Sequence, residues 1–320
     1  MNFIRFYTVL KTLPTGDSIV RGYIRRRFLW LLQLSVIFQG YAVAASEELP
    51  TVHRFSRPGI GSVNSFVIEG RKGLVVIDAQ RSLSLGRALA EETRERDKPL
   101  LAILITHPHP DHFGGLNSVL DEFPGTPVYA SQLTREEMRT DGNGFMAATR
   151  RALPNDTPDV FSLPDHTFED GDVLVFADLT LNVHEIGPGE SKSMSMFYLP
   201  EIGTLFTGDL ISYRMTGFLL EGRLDAWLQQ LAELRIEYSR TSPRIMPGHG
   251  EPGEFDTLLN WQTAYLSTLS TLIVEAKDDQ VMDEKEIERI KEIMDTAFPG
   301  LLPVAAIPDL MEMNLRTFSK

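Results

Sequence analysis

Short apolar runs broken by polar turns dominate the first two thirds of the chain. Leu100-Leu101-Ala102-Ile103-Leu104-Ile105 has the length and β-branched content of a buried strand, and it stops abruptly at Thr106. Upstream, Ser62 to Asp78 reads as two strands joined by the turn Gly70-Arg71-Lys72-Gly73. Ser82 to Arg96 has a serine start, Leu85, Ala88 and Leu89 at helical spacing and a charged end, which predicts an amphipathic helix despite Gly86. Phe113 to Phe123 predicts the next helix and Val128-Tyr129 a short strand, followed by a polar, Pro- and Gly-containing insertion over residues 134–166. The second half repeats the scheme. Asp170-Gly171-Asp172 introduces a hairpin of Val173–Phe176 and Leu179–Ile186, and Met194–Leu199 pairs with Thr204–Thr207 across Pro200-Glu201-Ile202-Gly203. From Phe255 onward the period becomes helical, with Leu258, Leu259, Leu266, Leu269, Leu272 and Ile273 on one stripe and a second helix over Asp283–Ala297. Two strand-rich halves with helices outside predict an α/β fold, a four-layer αβ/βα sandwich with a C-terminal helical appendage.

The N-terminus follows a different pattern. Arg25-Arg26-Arg27 precede the apolar run Phe28 to Phe38, and the small residues Ala42-Val43-Ala44-Ala45 follow, the order of a cleavable secretory signal. The run is too short to span a bilayer comfortably. The expected organisation is therefore a signal peptide over 1–45, a main domain over 46–255 and a helical extension over 256–320, with a periplasmic or secreted product and no stable membrane anchor after cleavage. The consecutive arginines fit Sec and twin-arginine export alike. The formal net charge is −13, with 31 Lys and Arg against 44 Asp and Glu. Residues 1–45 hold six of the basic and one of the acidic residues, so the mature chain has 25 against 43 and a net charge of −18. That balance argues against a nucleic-acid partner. The absence of cysteine excludes disulfides, a lipoprotein anchor and a thiolate metal site.

The chemistry concentrates at the end of the Leu100–Ile105 strand. Thr106-His107-Pro108-His109-Pro110-Asp111-His112 holds three of the seven histidines and a carboxylate. Imidazole and carboxylate are ordinary ligands of Zn²⁺ and related ions, and a strand-end loop lets them converge on one point. With this His-x-His-x-Asp-His motif the chain resembles the metallo-β-lactamase-fold hydrolases. Gly208-Asp209, after a short apolar strand, resembles that family's bridging aspartate, and Pro247-Gly248-His249-Gly250 its last histidine, both in the family's order. The stretch matching the family's Pro-Gly-His reads Gly187-Pro188-Gly189-Glu190-Ser191, so a glutamate stands where the third histidine of the first metal site is expected. The resemblance covers roughly Thr51 to Glu254.

The resemblance implies that His107, His109 and Glu190 hold one metal, that Asp111, His112 and His249 hold a second, and that Asp209 bridges them. Two divalent ions are expected, zinc first, with manganese or iron favoured by the added carboxylate. A metal-bridging hydroxide would attack an ester, lactone, thioester or amide of a small-molecule substrate, with Asp111 orienting it or moving its proton. Tyr213 and Arg214 fall where family members place substrate-facing side chains. Residues 134–166 belong near the pocket mouth, and Gly114-Gly115 should let the following helix approach the ions. The C-terminal helices are expected to pack as an appendage, with a homo-oligomer contact or lid as further roles. Two other classes suit the same residues, a diiron oxidase or dioxygenase and a member that binds metal or ligand without turnover. His53, His166 and His184 read as surface or packing residues.

Overall fold

The computed structural model describes residues 48–277 and 282–319; the segment read as an export signal lies outside them. The first sheet runs in chain order through β1 (Thr51–Phe55), β2 (Ser65–Glu69), β3 (Leu74–Ile77), β4 (Leu100–Leu104), β5 (Val128–Ser131) and β6 (His166–Phe168). Its first two pairings are antiparallel and the remaining three parallel. The second sheet takes β7 (Val173–Phe176), β8 (Leu179–Glu185), β9 (Ser195–Leu199) and β10 (Thr204–Ser212). After the short β11 (Met215–Thr216) come β12 (Arg244–His249) and β13 (Gly253–Glu254), in the order β13-β12-β10-β9-β8-β7.

Strand periodicity explains the layers. In β3, Val75 and Ile77 face the second sheet, where they meet Leu181, Phe197 and Phe206, while Leu74 and Val76 face the helices. In β4, Ala102 and Leu104 point inward, and Leu100 and Ile103 outward. A strand covered on both faces must be apolar throughout, which is why Leu100–Ile105 has no alternation. Helices α1 (Leu83–Arg94), α2 (Pro110–Phe113) and α3 (Leu116–Glu122) cover the first sheet.

The helix expected over Phe113–Phe123 is instead two short ones, because the loop must turn at Gly114-Gly115. These glycines do not bring the helix to the cluster. A Cβ on Gly115 would lie 2.4 Å from the Ala79 carbonyl, and one on Gly86 would lie 2.2 Å from the Gly115 carbonyl. Gly86 and Gly115 thus allow α1 and the start of α3 into backbone contact.

The insertion folds into α4 (Gln132–Thr140) and α5 (Phe145–Ala152), and Asp141 caps α5 by accepting from the Met146 and Ala147 amides at 2.9 and 3.1 Å. The second sheet's outer face is covered by α6 (Leu224–Tyr238), to which the sequence reading assigned no element, and by α7 (Phe255–Lys277) and α8 (Glu284–Ala297). Beyond α8, β14 (Leu302–Pro303) pairs in parallel with β11, and α9 (Leu310–Phe318) closes the chain. The described residues form one compact unit. Among the described residues, no helix is long and apolar enough to cross a membrane.

Candidate metal centre

The cluster residues come from the segment after β4, from the β8–β9 loop and from β10 and β12. The loop after β4 carries His107 and His109 and runs into α2, which carries Asp111 and His112; β10 carries Asp209, β12 ends in His249, and the β8–β9 loop carries Glu190. Among the described residues, three sets offer ligand atoms within 4.8 Å of one another: His107, His109 and Glu190; Asp111, His112 and His249; and His107, His112 and Asp209. The structure therefore brings together all seven residues expected as ligands, with Asp209 between the two groups.

Local hydrogen bonds fix how the imidazoles point. The Asp78 carboxylate, at the end of β3, accepts from the Thr106 amide at 2.9 Å and the Thr106 hydroxyl at 2.8 Å, and it bonds His112 Nδ1 at 2.7 Å. Because the Thr106 proton goes to Asp78, its oxygen accepts from His107 Nδ1, 2.9 Å away. His249 Nδ1 donates to the Ser62 carbonyl. With Nδ1 as donor, each of these three rings turns its Nε2 inward, the orientation a metal ligand requires. His109 is reversed. Its Nε2 bonds Glu221 at 2.9 Å, with Arg223 against the same carboxylate, so its Nδ1 faces Glu190 at 3.3 Å.

The inward atoms lack partners. His107, His112 and His249 Nε2, both Glu190 oxygens and Asp209 Oδ1 are buried without a hydrogen bond. Leaving such atoms unpaired costs about 1–3 kcal/mol each, more where charged, so a fold that buries six together is built around something else that binds them. Five carboxylates, Asp78, Asp111, Glu190, Asp209 and Glu221, converge on four imidazoles, with Arg223 as a countercharge. Neutral imidazoles then leave a surplus of four negative charges, which two divalent cations would balance. This donor set fits a metal pair.

The same crowding shifts protons. Burial pushes the Glu190 carboxyl up to about 7, against the pull of His109. Burial alone would depress His109, but Glu190 and Glu221 on its two nitrogens raise it to about 10. His107, buried beside His112 and His109, is held well below the usual imidazole range. Asp111 has the most exposed carboxylate of the cluster, at 23% of its side chain against 3% or less for Asp209, Glu190 and Glu221.

A cavity of about 280 Å³ opens onto His109, Asp111 and Asp209. Its wall includes α5, as the placement of the insertion at the pocket mouth anticipated. Tyr213 and Arg214 are not among its lining residues. Tyr213 packs on Trp261, and its amide donates to the His249 carbonyl at 3.0 Å, so it supports the loop by its backbone; Arg214 is exposed. His184 bonds Tyr238, His53 bonds Glu69, and His166 pairs with Asp165, all outside the cluster. The sequence reading missed Asp78, Glu221 and Asn64. Asp78 closes an apolar run, a signal visible in the chain. Asn64, 2% exposed, donates to the carbonyls of Pro247 and Gly250 at 2.9 and 2.8 Å and ties the His249 loop to the first sheet, and nothing local marks it.

A family model described as the Metallo-beta-lactamase superfamily matches residues 58–249. A metallo-beta-lactamase type 2 from Bacillus cereus is 22% identical over 201 residues, covering 62% of this chain and 70% of that protein. A hydroxyacylglutathione hydrolase from a Synechococcus strain is 28% identical over 152 residues, covering 48% of this chain and 51% of that one. The chain thus spans about half the length of that relative. Among solved structures, a sec-alkyl sulfatase superposes with a TM-score of 0.63 at 19% identity, over 83% of this chain and 48% of that chain.

Proposed function

We propose that this chain, which belongs to the metallo-beta-lactamase superfamily, is an exported dinuclear metal-dependent hydrolase acting on an ester, lactone, thioester or amide of a small molecule. The observation that carries the reading is the set of buried atoms without hydrogen bonds on His107, His112, His249, Glu190 and Asp209, the three imidazoles aimed inward by hydrogen bonds on their far sides. His107, His109 and Glu190 would hold one ion, Asp111, His112 and His249 the other, with Asp209 shared. Bound divalent ions supply Lewis acidity and lower the pKa of water from about 16 toward about 7, making a nucleophile at neutral pH.

The protein's own groups do the rest. Asp78, Thr106 and the Ser62 carbonyl hold three rings in the ligating tautomer. Asp111 Oδ2, 3.3 Å from His249 Nε2 and the cluster's most exposed carboxylate, orients the attacking water, accepts its proton and returns it to the leaving group. The cavity beside it receives the remainder of the substrate.

Chelator-stripped mature protein, titrated with zinc, manganese and iron and assayed on a substrate panel, tests this. Two binding events are expected, the stronger at the group containing Asp111, His112 and His249, together with hydrolysis. His249→Ala should remove the stronger event and the turnover; unchanged stoichiometry and rate in that variant would overturn the site. Iron dependence with oxygen uptake would instead favour the oxidase reading. Mass spectrometry of the exported protein should find a start close to Ala45 or Ser46, and a chain still carrying Arg25 would reject cleavage there.

A further inference from the structure

The cavity beside the cluster has a wall of unusual origin for a site built from strand ends. On α5, Phe145, Ala148, Thr149 and Ala152 lie at i, i+3, i+4 and i+7, so one helical face lines it. The facing wall is Val304 to Ile307, from the segment after β14, held by Val304 donating to the Thr216 carbonyl at 3.1 Å and by Gly61 donating to the Pro303 carbonyl at 3.0 Å. Phe218 and Phe145 stand edge-on to the His109 ring, with centroids 4.9 and 5.3 Å away, and close the junction between apolar cavity and polar cluster. Arg81 is the single Lys or Arg on the lining, and its Nη1 already donates to the carbonyls of Ile60 and Gly61 at 3.1 Å.

We infer that this cavity is the binding site for a neutral aliphatic group of the substrate, about eight to ten heavy atoms long, whose scissile bond lies at Asp111 and Asp209. The inference rests on the hydrolase reading for the bond that is cleaved, but the pocket stands on its own lining. The size follows from volume. About 280 Å³, at roughly 30 Å³ for each water-sized group, holds on the order of nine such groups. The chemistry follows from the wall, since a charged chain would be desolvated against Phe145, Phe218, Leu153, Val304 and Ile307 with little to pair it. Ala148 and Ala152 are small where the helix faces the cavity, which leaves the space open.

Two measurements separate the pocket from the chemistry. On metal-loaded protein, p-nitrophenyl esters with acyl chains of 2 to 12 carbons should show kcat/KM rising about fourfold per methylene to roughly eight carbons, then levelling. Ala152→Trp, at an exposed helical position, should lower the octanoyl-to-acetyl ratio at least tenfold, and Ala148→Leu should shift the optimum to a shorter chain. Calorimetric titration with 1-octanol should show saturable binding, weakened at least tenfold by Ala152→Trp. Ester hydrolysis with no dependence on chain length would overturn the pocket while leaving the hydrolase standing. Octanol binding that Ala152→Trp weakens, with no ester, lactone, thioester or amide of the panel cleaved, would support the pocket and sink the hydrolase. Octanol binding of equal strength in wild type and Ala152→Trp would place the ligand elsewhere and overturn the proposal.

Discussion

Glu190 is the residue at which fold and chemistry pull in opposite directions. Both its oxygens are buried without a hydrogen bond, one of them 3.3 Å from His109 Nδ1, and burial lifts its carboxyl to about 7. A raised carboxyl favours the neutral form in the folded state, so Glu190 costs no stability below its ordinary value of 4.5 and a growing amount as pH rises toward 7. In chelator-treated protein at pH 8, Glu190→Gln should therefore raise the melting temperature, while Glu190→Ala should weaken one of two metal-binding events by at least the 10- to 100-fold seen for outer-sphere partners. Glu190→His should restore binding and move the preference toward zinc, because an imidazole replaces a charged oxygen donor. Two tightly held ions in the alanine variant, with unchanged turnover, would make Glu190 a bystander. Glycine acts at the same scale. A Cβ on Gly248 would lie 1.9 Å from Asp209 Oδ1, so this position keeps room for the Asp209 carboxylate.

Among the elements, legibility tracked how local the cause was. Leu100–Ile105, the Gly70–Gly73 turn and the Ser82 cap are each written in adjacent residues, and β4, the β2–β3 hairpin and α1 formed as expected. The His-x-His-x-Asp-His segment was legible because four candidate ligands lie within six consecutive residues. Asn64 and Glu221 were not, because their partners lie 183 and 112 residues away in the chain. Tyr213 and Arg214 lie off the cavity for a related reason. The chain order puts them just after Asp209, but β10 extends to Ser212 and carries them past the cavity. The C-terminal helices were legible as helices and opaque as a wall. Fully buried Asn314 on α9 accepts from the Leu219 amide at 2.9 Å and donates to the Gly217 carbonyl at 2.8 Å, clamping the segment that carries Phe218. Asn314→Ala strands both backbone groups, each costing about 1–3 kcal/mol. A loss of at least about 2 kcal/mol by urea denaturation is expected, with a higher KM as Phe218 loosens. Unchanged stability would show that the clamp does not hold the segment.

For the whole molecule, the cluster is where the two sheets are joined by polar contacts as well as by the apolar core. His107, His109, Asp111 and His112 follow the first sheet's β4, whereas Glu190, Asp209 and His249 belong to the second, so any ion held by either group touches both halves. Ligands that bind only the native state stabilise it by mass action, about 4 kcal/mol at a thousandfold excess over Kd. At roughly 2.1 cal/mol/K of unfolding entropy per residue, each kcal/mol is worth about 1.7 °C in a chain of roughly 275 residues, so each ion held at that excess should raise the melting temperature by about 7 °C. Because the ligands straddle the halves, the gain should appear in one cooperative transition, with calorimetric and van't Hoff enthalpies in agreement. Scanning calorimetry of chelated and metal-loaded protein decides this. A metal-loaded sample in which one transition moves and a second stays in place would mean that the ions stabilise a single half, and that the shared position of Asp209 is wrong.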